Sequence, residues 1–115
     1  MKIAQLCAVD FTLYHFLLPL MRAMRDAGHE VVGIASDGPF VAKIRAEGFR
    51  VEPVYIDRSF NLLRHSGSAR RLRALFKRER FDIVHVHTPV AALIGRWAAW
   101  RAGVPKIVYT AHGFY

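Results

Sequence analysis

Apolar residues gather in five short runs along the chain, and stretches with helical three-to-four spacing separate them. The runs are Lys2 to Val9 (KIAQLCAV), Glu30 to Ala35 (EVVGIA), Phe49 to Tyr55 (FRVEPVY), Phe81 to His87 (FDIVHVH) and Lys106 to Thr110 (KIVYT). Runs this short, bounded by Gly, Pro and polar residues, predict strands. Between the first two, Phe16, Leu17, Leu20, Met24 and Ala27 mark the inner side of a helix that Gly28 ends. Pro19 fits only a first turn, where its missing N–H has no intrahelical acceptor, so Asp10 to about Tyr14 is predicted as a loop. Ser36-Asp37-Gly38-Pro39 opens the next helix with proline at its first position, and Gly48 lies just past its end. Pro53 places the third strand at an edge. Leu62 to Arg80 predicts one long helix with Leu62, Ala69, Leu72 and Phe76 inward; Thr88-Pro89 predicts a cap and first turn for another, running to Ala102 before Gly103 and Pro105.

Strands alternating with helices require right-handed crossovers, hence an α/β fold: a Rossmann-like doubly wound parallel sheet in the order 3-2-1-4-5, covered on both faces. Ligands in such sheets bind outside the carboxyl ends of the strands, beside the switch between the first and fourth. That rule collects three distant segments: Asp10 to His15, His85 to Pro89 and His112 to Tyr115. The first of them, VDFTLYHF, contains no glycine, which argues against the Gly-rich pyrophosphate cradle of a dinucleotide-dependent dehydrogenase.

Composition changes this picture in two respects. The 115 residues, 53% hydrophobic and 23% charged, suit one globular domain, with no apolar run long enough to span a bilayer and no secretory leader, so a cytoplasmic location is expected. Cys7, the single cysteine, reads as a small buried hydrophobe. The net charge of +8 favours an anionic partner. It concentrates on the fourth helix, where Arg70, Arg73, Lys77 and Arg80 form a stripe flanked by Arg71 and Arg78, with Arg64 before it and Glu79 as the helix's only acid. This is either a solvated face or an interfacial surface for anionic lipid. Nucleic acid is not expected as a partner, since neither a binding motif nor interleaved aromatics accompany the charge.

At the strand ends, Asp10 reads equally as a helix cap or as a hydrogen-bond partner for a ligand hydroxyl. His85 and His87 point to one side of strand four; His87, at the tip beside a capping Thr88, is expected to reach a ligand and His85 to be structural. His112, with Gly113 giving backbone freedom, is the leading candidate for chemistry. Together the three histidines could hold zinc, but no carboxylate or cysteine stands near them in sequence, so no metal is expected.

Three segments resemble one family: AGHEV after the first helix, FDIVHVHTPVAALIGRWAAWRAGVPKIVYTAHGF across strands four and five, and the glycine-free VDFTLYHFLLPL loop. They resemble the amino-terminal domain of family 4 retaining GT-B glycosyltransferases, closest to bacterial enzymes that build capsule, exopolysaccharide or O-antigen. The resemblance covers nearly the whole chain, most specifically Asp82 to Phe114. It implies an acceptor-binding half of a two-domain enzyme, active only with a carboxy-terminal half that holds the nucleotide-sugar donor, without cofactor or obligatory metal. It further implies a lipid-linked, polyprenyl-diphosphate type of saccharide acceptor and a peripheral position on the inner face of the cytoplasmic membrane. By resemblance His112 contacts the donor sugar near the reacting centre, and Asp10, Phe11, Thr12 and His15, with His87, Thr88 and Gly113, line the acceptor and donor sides. Relatives often carry glycine in the first loop, which this chain lacks. No Glu-x7-Glu motif is present, so the chain is expected to be an incomplete amino-terminal domain with an uncovered sheet edge, marginal in isolation. The alternative expectation is a stand-alone Rossmann-like domain that binds a phosphorylated or anionic ligand without catalysis.

Overall fold

Strand β1 (Lys2–Val9) is the axis of the molecule: six consecutive residues from Ile3 to Ala8 are buried, which happens only to a strand covered on both faces. The computed structural model describes residues 1–57 and 65–110. On one side β1 pairs in parallel with β2 (Glu30–Ser36), which pairs with β3 (Arg50–Pro53); on the other it pairs with β4 (Ile83–His87), which pairs with β5 (Lys106–Thr110). The sheet order is therefore β3-β2-β1-β4-β5, all parallel, as the alternation predicts. Pro53 ends the outermost strand, where a missing N–H costs no ladder bond.

Alternate residues of β1 divide the core in two. Ala4, Leu6 and Ala8, with Val84 and Val86 of β4, meet helices α4 (Ser66–Glu79) and α5 (Pro89–Ala102) through Leu72, Leu75, Phe76, Ile94 and Ala98. Cys7 looks the other way, into a smaller cluster with Leu13, Leu17, Met21, Val41 and Ile44. Burial pushes the Cys7 thiol up to about 12, so it is a packing residue as expected.

The first crossover departs from its predicted form. Instead of a loop, Asp10–Thr12 is already helical (α1), Leu13–Leu17 forms a π-helical turn, and α2 follows at Leu18–Asp26 with Pro19 in its first turn. The earlier start and wider turn shift the inward residues to Leu13, Leu17, Leu18 and Met21. Phe16, Leu20 and Ala27, expected inside, are exposed. Helix α3 spans Phe40–Ala46, with Pro39 at its cap. Helix α4 begins at Ser66; Leu62 and Arg64 lie outside the described residues.

One glycine sets the spacing of the α4–α5 layer. A Cβ on Gly95 would run into Leu6 Cδ2 and come within 2.8 Å of Val86 Cγ1, so only glycine lets α5 lie this close to β1 and β4.

Candidate functional site

Because β1, β4 and β5 are adjacent and parallel, their carboxyl ends share one rim, which brings Asp10 to His15 beside His87 and Thr88. His112 and Gly113 lie outside the described residues; Thr110, the last described residue of β5, pairs with His87 across the ladder.

Asp10 is buried and does not cap its own helix. Its Oδ2 accepts a hydrogen bond from the backbone N–H of Phe40 at 2.8 Å, fixing the start of α3 from the end of the neighbouring strand. Gly38 passes so close that an added Cβ would collide with the carboxylate. Asp10 thus couples the end of β1 to the segment after β2.

Around it stands an aromatic group. The π turn, with one residue more than an α turn, aims His15 and Phe16 both outward. The Phe11 ring lies 4.2 Å from His15 and 5.7 Å from Phe40, and Tyr14 stacks on Phe40 at 5.2 Å with the rings 23° apart. Lys43 Nζ sits 5.2 Å from the Phe40 ring centroid. Phe11 and Phe16 are 47% and 59% exposed, and Thr12 beside them is half-buried. Tyr14, Phe40 and Lys43 belong to this rim although sequence reasoning did not single them out. Phe40 follows the Gly38-Pro39 turn at the neighbouring strand end, and that placement was the available signal.

The two strand-four histidines differ in burial from what their positions along the strand predict. His87 is 1% exposed, whereas His85 is only half-buried. The register explains it: Val86 pairs with Leu6, so His87 lies alongside the last three residues of β1 rather than at the tip of the sheet. His85 sits beside edge strand β5, where Val108 and Thr110 are half-exposed.

Gln5 joins the pair. Its Oε1 accepts from His87 Nε2 at 2.6 Å, its Nε2 donates to His85 Nδ1 at 3.1 Å, and His85 Nε2 donates to Thr110 Oγ1 at 2.6 Å. With the Gln5 amide so oriented, each imidazole carries a proton on Nε2, and the contacts tie β1, β4 and β5 together just below the rim. A lone amide inside an otherwise apolar buried strand needs such partners, and that was the unread signal for Gln5. Among the described residues, no three His, Cys, Asp or Glu side chains are placed to hold a metal ion.

Thr88 holds the N-cap position of α5, yet its hydroxyl does not cap the helix; it donates to the carbonyl of His87 instead. Its backbone, at φ 67° and ψ 141°, is in a region that side chains disfavour. Such strain gathers where a site must hold the chain in one path.

The basic stripe is divided. Arg70, Arg71, Lys77 and Arg80 are exposed and Arg73 half-buried, and no ion pair of the described residues reaches them. Arg78 is exposed as well, and it pairs with Glu79 and Glu52. No helix of the described residues is long and apolar enough to cross a membrane.

Comparison with known proteins places this rim in context. The pattern of glycosyltransferase family 4 matches residues 15–115. A UDP-Gal:alpha-D-GlcNAc-diphosphoundecaprenol alpha-1,3-galactosyltransferase of Escherichia coli is 44% identical over 57 residues, 50% of this chain and 15% of its own length. A phosphatidyl-myo-inositol mannosyltransferase of Mycolicibacterium smegmatis is 29% identical over 97% of this chain and 31% of its own. The crystal structure of a glycosyltransferase from Rickettsia africae superposes with a TM-score of 0.78 at 21% identity, over 99% of this chain and 30% of that one, which shows the fold. The chain thus spans less than a third of the length of each of these three proteins.

Proposed function

On the premise that this chain belongs to glycosyltransferase family 4, we propose that it supplies the acceptor side of a retaining transferase that moves a sugar from a nucleotide-sugar to a lipid-linked saccharide in surface polysaccharide synthesis. The donor-binding half is assigned to sequence outside these residues. The observation that carries the reading is the family match itself, which starts at His15, just past the end of β1, and takes in the ends of β4 and β5. The E. coli relative is named for a diphosphoundecaprenol-linked GlcNAc acceptor and the mycobacterial one for phosphatidyl-myo-inositol, which supports an acceptor carried on a lipid.

In this reading Phe11 and His15 present ring faces to the acceptor, with Thr12 between them as a hydroxyl partner. Asp10 holds the floor beneath them by fixing Phe40. His87 acts from below: buried and bonded to Gln5, it positions the ends of β4 and β5 rather than touching sugar. Thr88 sets the path of the chain into α5, and Gly113 leaves room for the donor sugar beside His112, the residue we assign to the reacting centre. No cofactor takes part. The enzyme works at the cytoplasmic face of the membrane that holds its acceptor.

The test is transfer of labelled sugar to a polyprenyl-diphosphate saccharide by the enzyme containing this domain. His112→Ala is expected to lower turnover by about a hundredfold or more with little change in acceptor affinity. Unchanged turnover would remove the assignment. Tight nucleotide-sugar binding by residues 1–115 alone would instead favour a stand-alone ligand-binding domain.

A further inference from the structure

Beneath the rim, one buried polar group touches three elements. Gln5 is fully buried in the middle of β1, and its amide meets His85 and His87 of β4 and Met24 of α2. The thioether settles which way the amide points. Met24 Sδ offers lone pairs and no proton, so the NH2 end of Gln5, 3.3 Å away, is the end that faces it. The same NH2 donates to His85 Nδ1 at 3.1 Å, which requires a lone pair there. The proton of His85 is thereby left on Nε2 and donated to Thr110 Oγ1 at 2.6 Å.

A second proton on His85 breaks this chain of contacts, because the imidazolium sets an N–H against the Gln5 NH2. Turning the amide over would bring Oε1 against Met24 Sδ and the NH2 against the Nε2–H of His87, so His87 would have to move its own proton as well. The described titratable groups on this side of the sheet do not ease the change. On the same strand, the His87 ring is centred 4.0 Å from that of His85. Strand β5 places Val108 beside His85 and the cationic Lys106 two residues lower. On β1, burial pushes the Cys7 thiol up to about 12, while Lys2 is engaged with Glu79 and Asp10 with the Phe40 N–H. From α2, Arg22 and Arg25 both reach Glu47.

We propose that Gln5 is a positioning residue for transfer: by holding His85 neutral it fixes Thr110, and with it the end of β5, two residues before His112. Strand β5 is an edge of the described sheet and its residues are half-buried or exposed, so the bond from His85 supplements a ladder on one side only. When His85 takes a second proton it is pushed off Gln5, and the end of β5 to which it is bonded moves with it. The relay thus carries pH to the rim, and turnover falls on the acid side. The kinetic part of this inference rests on the transferase reading given above; the protonation state of His85 does not.

The enzyme containing this domain, prepared with isotope-labelled histidine for nuclear magnetic resonance, tests both parts. At about pH 7 the His85 ring is expected to be neutral with its proton on Nε2, and turnover at saturating acceptor should fall over the pH range in which His85 takes up its second proton. Gln5→Glu puts a carboxylate where the amide donated, which favours the imidazolium. The His85 titration and the acid limb of kcat should then move up together by about one pH unit, with the KM for acceptor little changed. Thr110→Val, which removes the accepting hydroxyl, should lower kcat about tenfold, and Thr110→Ser should restore most of it. Circular dichroism should be unchanged in all three variants. A His85 ring protonated on Nδ1 alone overturns the proposal, as does an acid limb that stays in place while the His85 titration moves, or a serine variant no faster than the valine one. A parent enzyme that transfers no sugar overturns the transferase reading instead, and the ring titration then decides by itself whether Gln5 holds His85 neutral: a rise with Gln5→Glu supports it, and no rise overturns it.

Discussion

The two helical layers of this sheet both expose aromatic side chains, yet they differ in what stands beside them. In the first layer, Phe11, Phe16 and Phe40 crowd the carboxyl end of β1, and the arginines of α2 are engaged: Arg22 pairs with Glu47, while Arg25 donates to the Glu47 carbonyl and covers Phe49 at 4.3 Å. In the second, Trp97 and Trp100 lie along the helix behind the rim and, Arg78 apart, the arginines have no acids among the described ion pairs. Exposure alone therefore does not assign a role. Position relative to the strand ends separates the candidate rim from the outer side of α5, and so does the state of the neighbouring charges.

The comparison assumes that the second layer is rigidly seated, so that its outer tryptophans cannot turn inward. Gly95→Leu attacks that assumption directly. The new side chain would have to displace Leu6 and Val86, lifting α5 and costing about 3 kcal/mol in thermal or urea unfolding. Trp100→Ser, on the opposite side of the same helix, should change stability by less than about 0.5 kcal/mol. Equal costs for the two variants would mean that α5 is seated otherwise than described.

A smaller effect sharpens the electrical half of the contrast. Hydrogen bonds from Arg50 and Lys2, and then from Arg78, hold the Glu79 carboxyl down to about 2, and the same contacts push the Arg50 guanidinium further up. A carboxyl lowered on folding contributes stability above its ordinary range, near 4.5, and loses it as the pH falls through 2. Glu79→Gln should therefore cost about 1 kcal/mol at neutral pH, a modest figure because Arg50 and Arg78 are half-exposed or more. The difference from the parent chain should shrink in unfolding titrations below pH 4.

How far these contrasts were legible in the sequence differs between the layers. The sheet order followed from alternation alone, because parallel strands with right-handed crossovers leave few arrangements. The α4–α5 layer also followed, since Leu72, Phe76 and the basic stripe keep an unbroken helical period. The first layer did not. Its helix starts at Asp10 without a side-chain cap and widens into a π turn, so a 3.6-residue period counted backward from Gly28 put Phe16 and Leu20 inside. The roles of His85 and His87 were equally hidden, because they depend on how far β1 runs past β4. Such a register is set between strands 80 residues apart, and no local pattern carries it.

Thr88 lies where the two layers meet the rim, and it yields the one predicted gain in stability. At φ 67° and ψ 141° its backbone is held where glycine is at ease and a β-branched residue is not. Such strain costs about 1–3 kcal/mol, and glycine returns some of the relief by loosening the unfolded chain. Thr88→Gly should therefore stabilise the fold by about 1 kcal/mol and raise the midpoint of thermal unfolding by roughly 4 °C. Thr88→Ala keeps the strain while losing the hydroxyl that donates to His87, and should give no gain. If the strain serves to hold the chain between β4 and α5 for transfer, Thr88→Gly should also lower turnover in the enzyme containing this domain. A glycine variant less stable than the alanine variant would show that the Thr88 conformation is not strained, and its place at the rim would then rest on position alone.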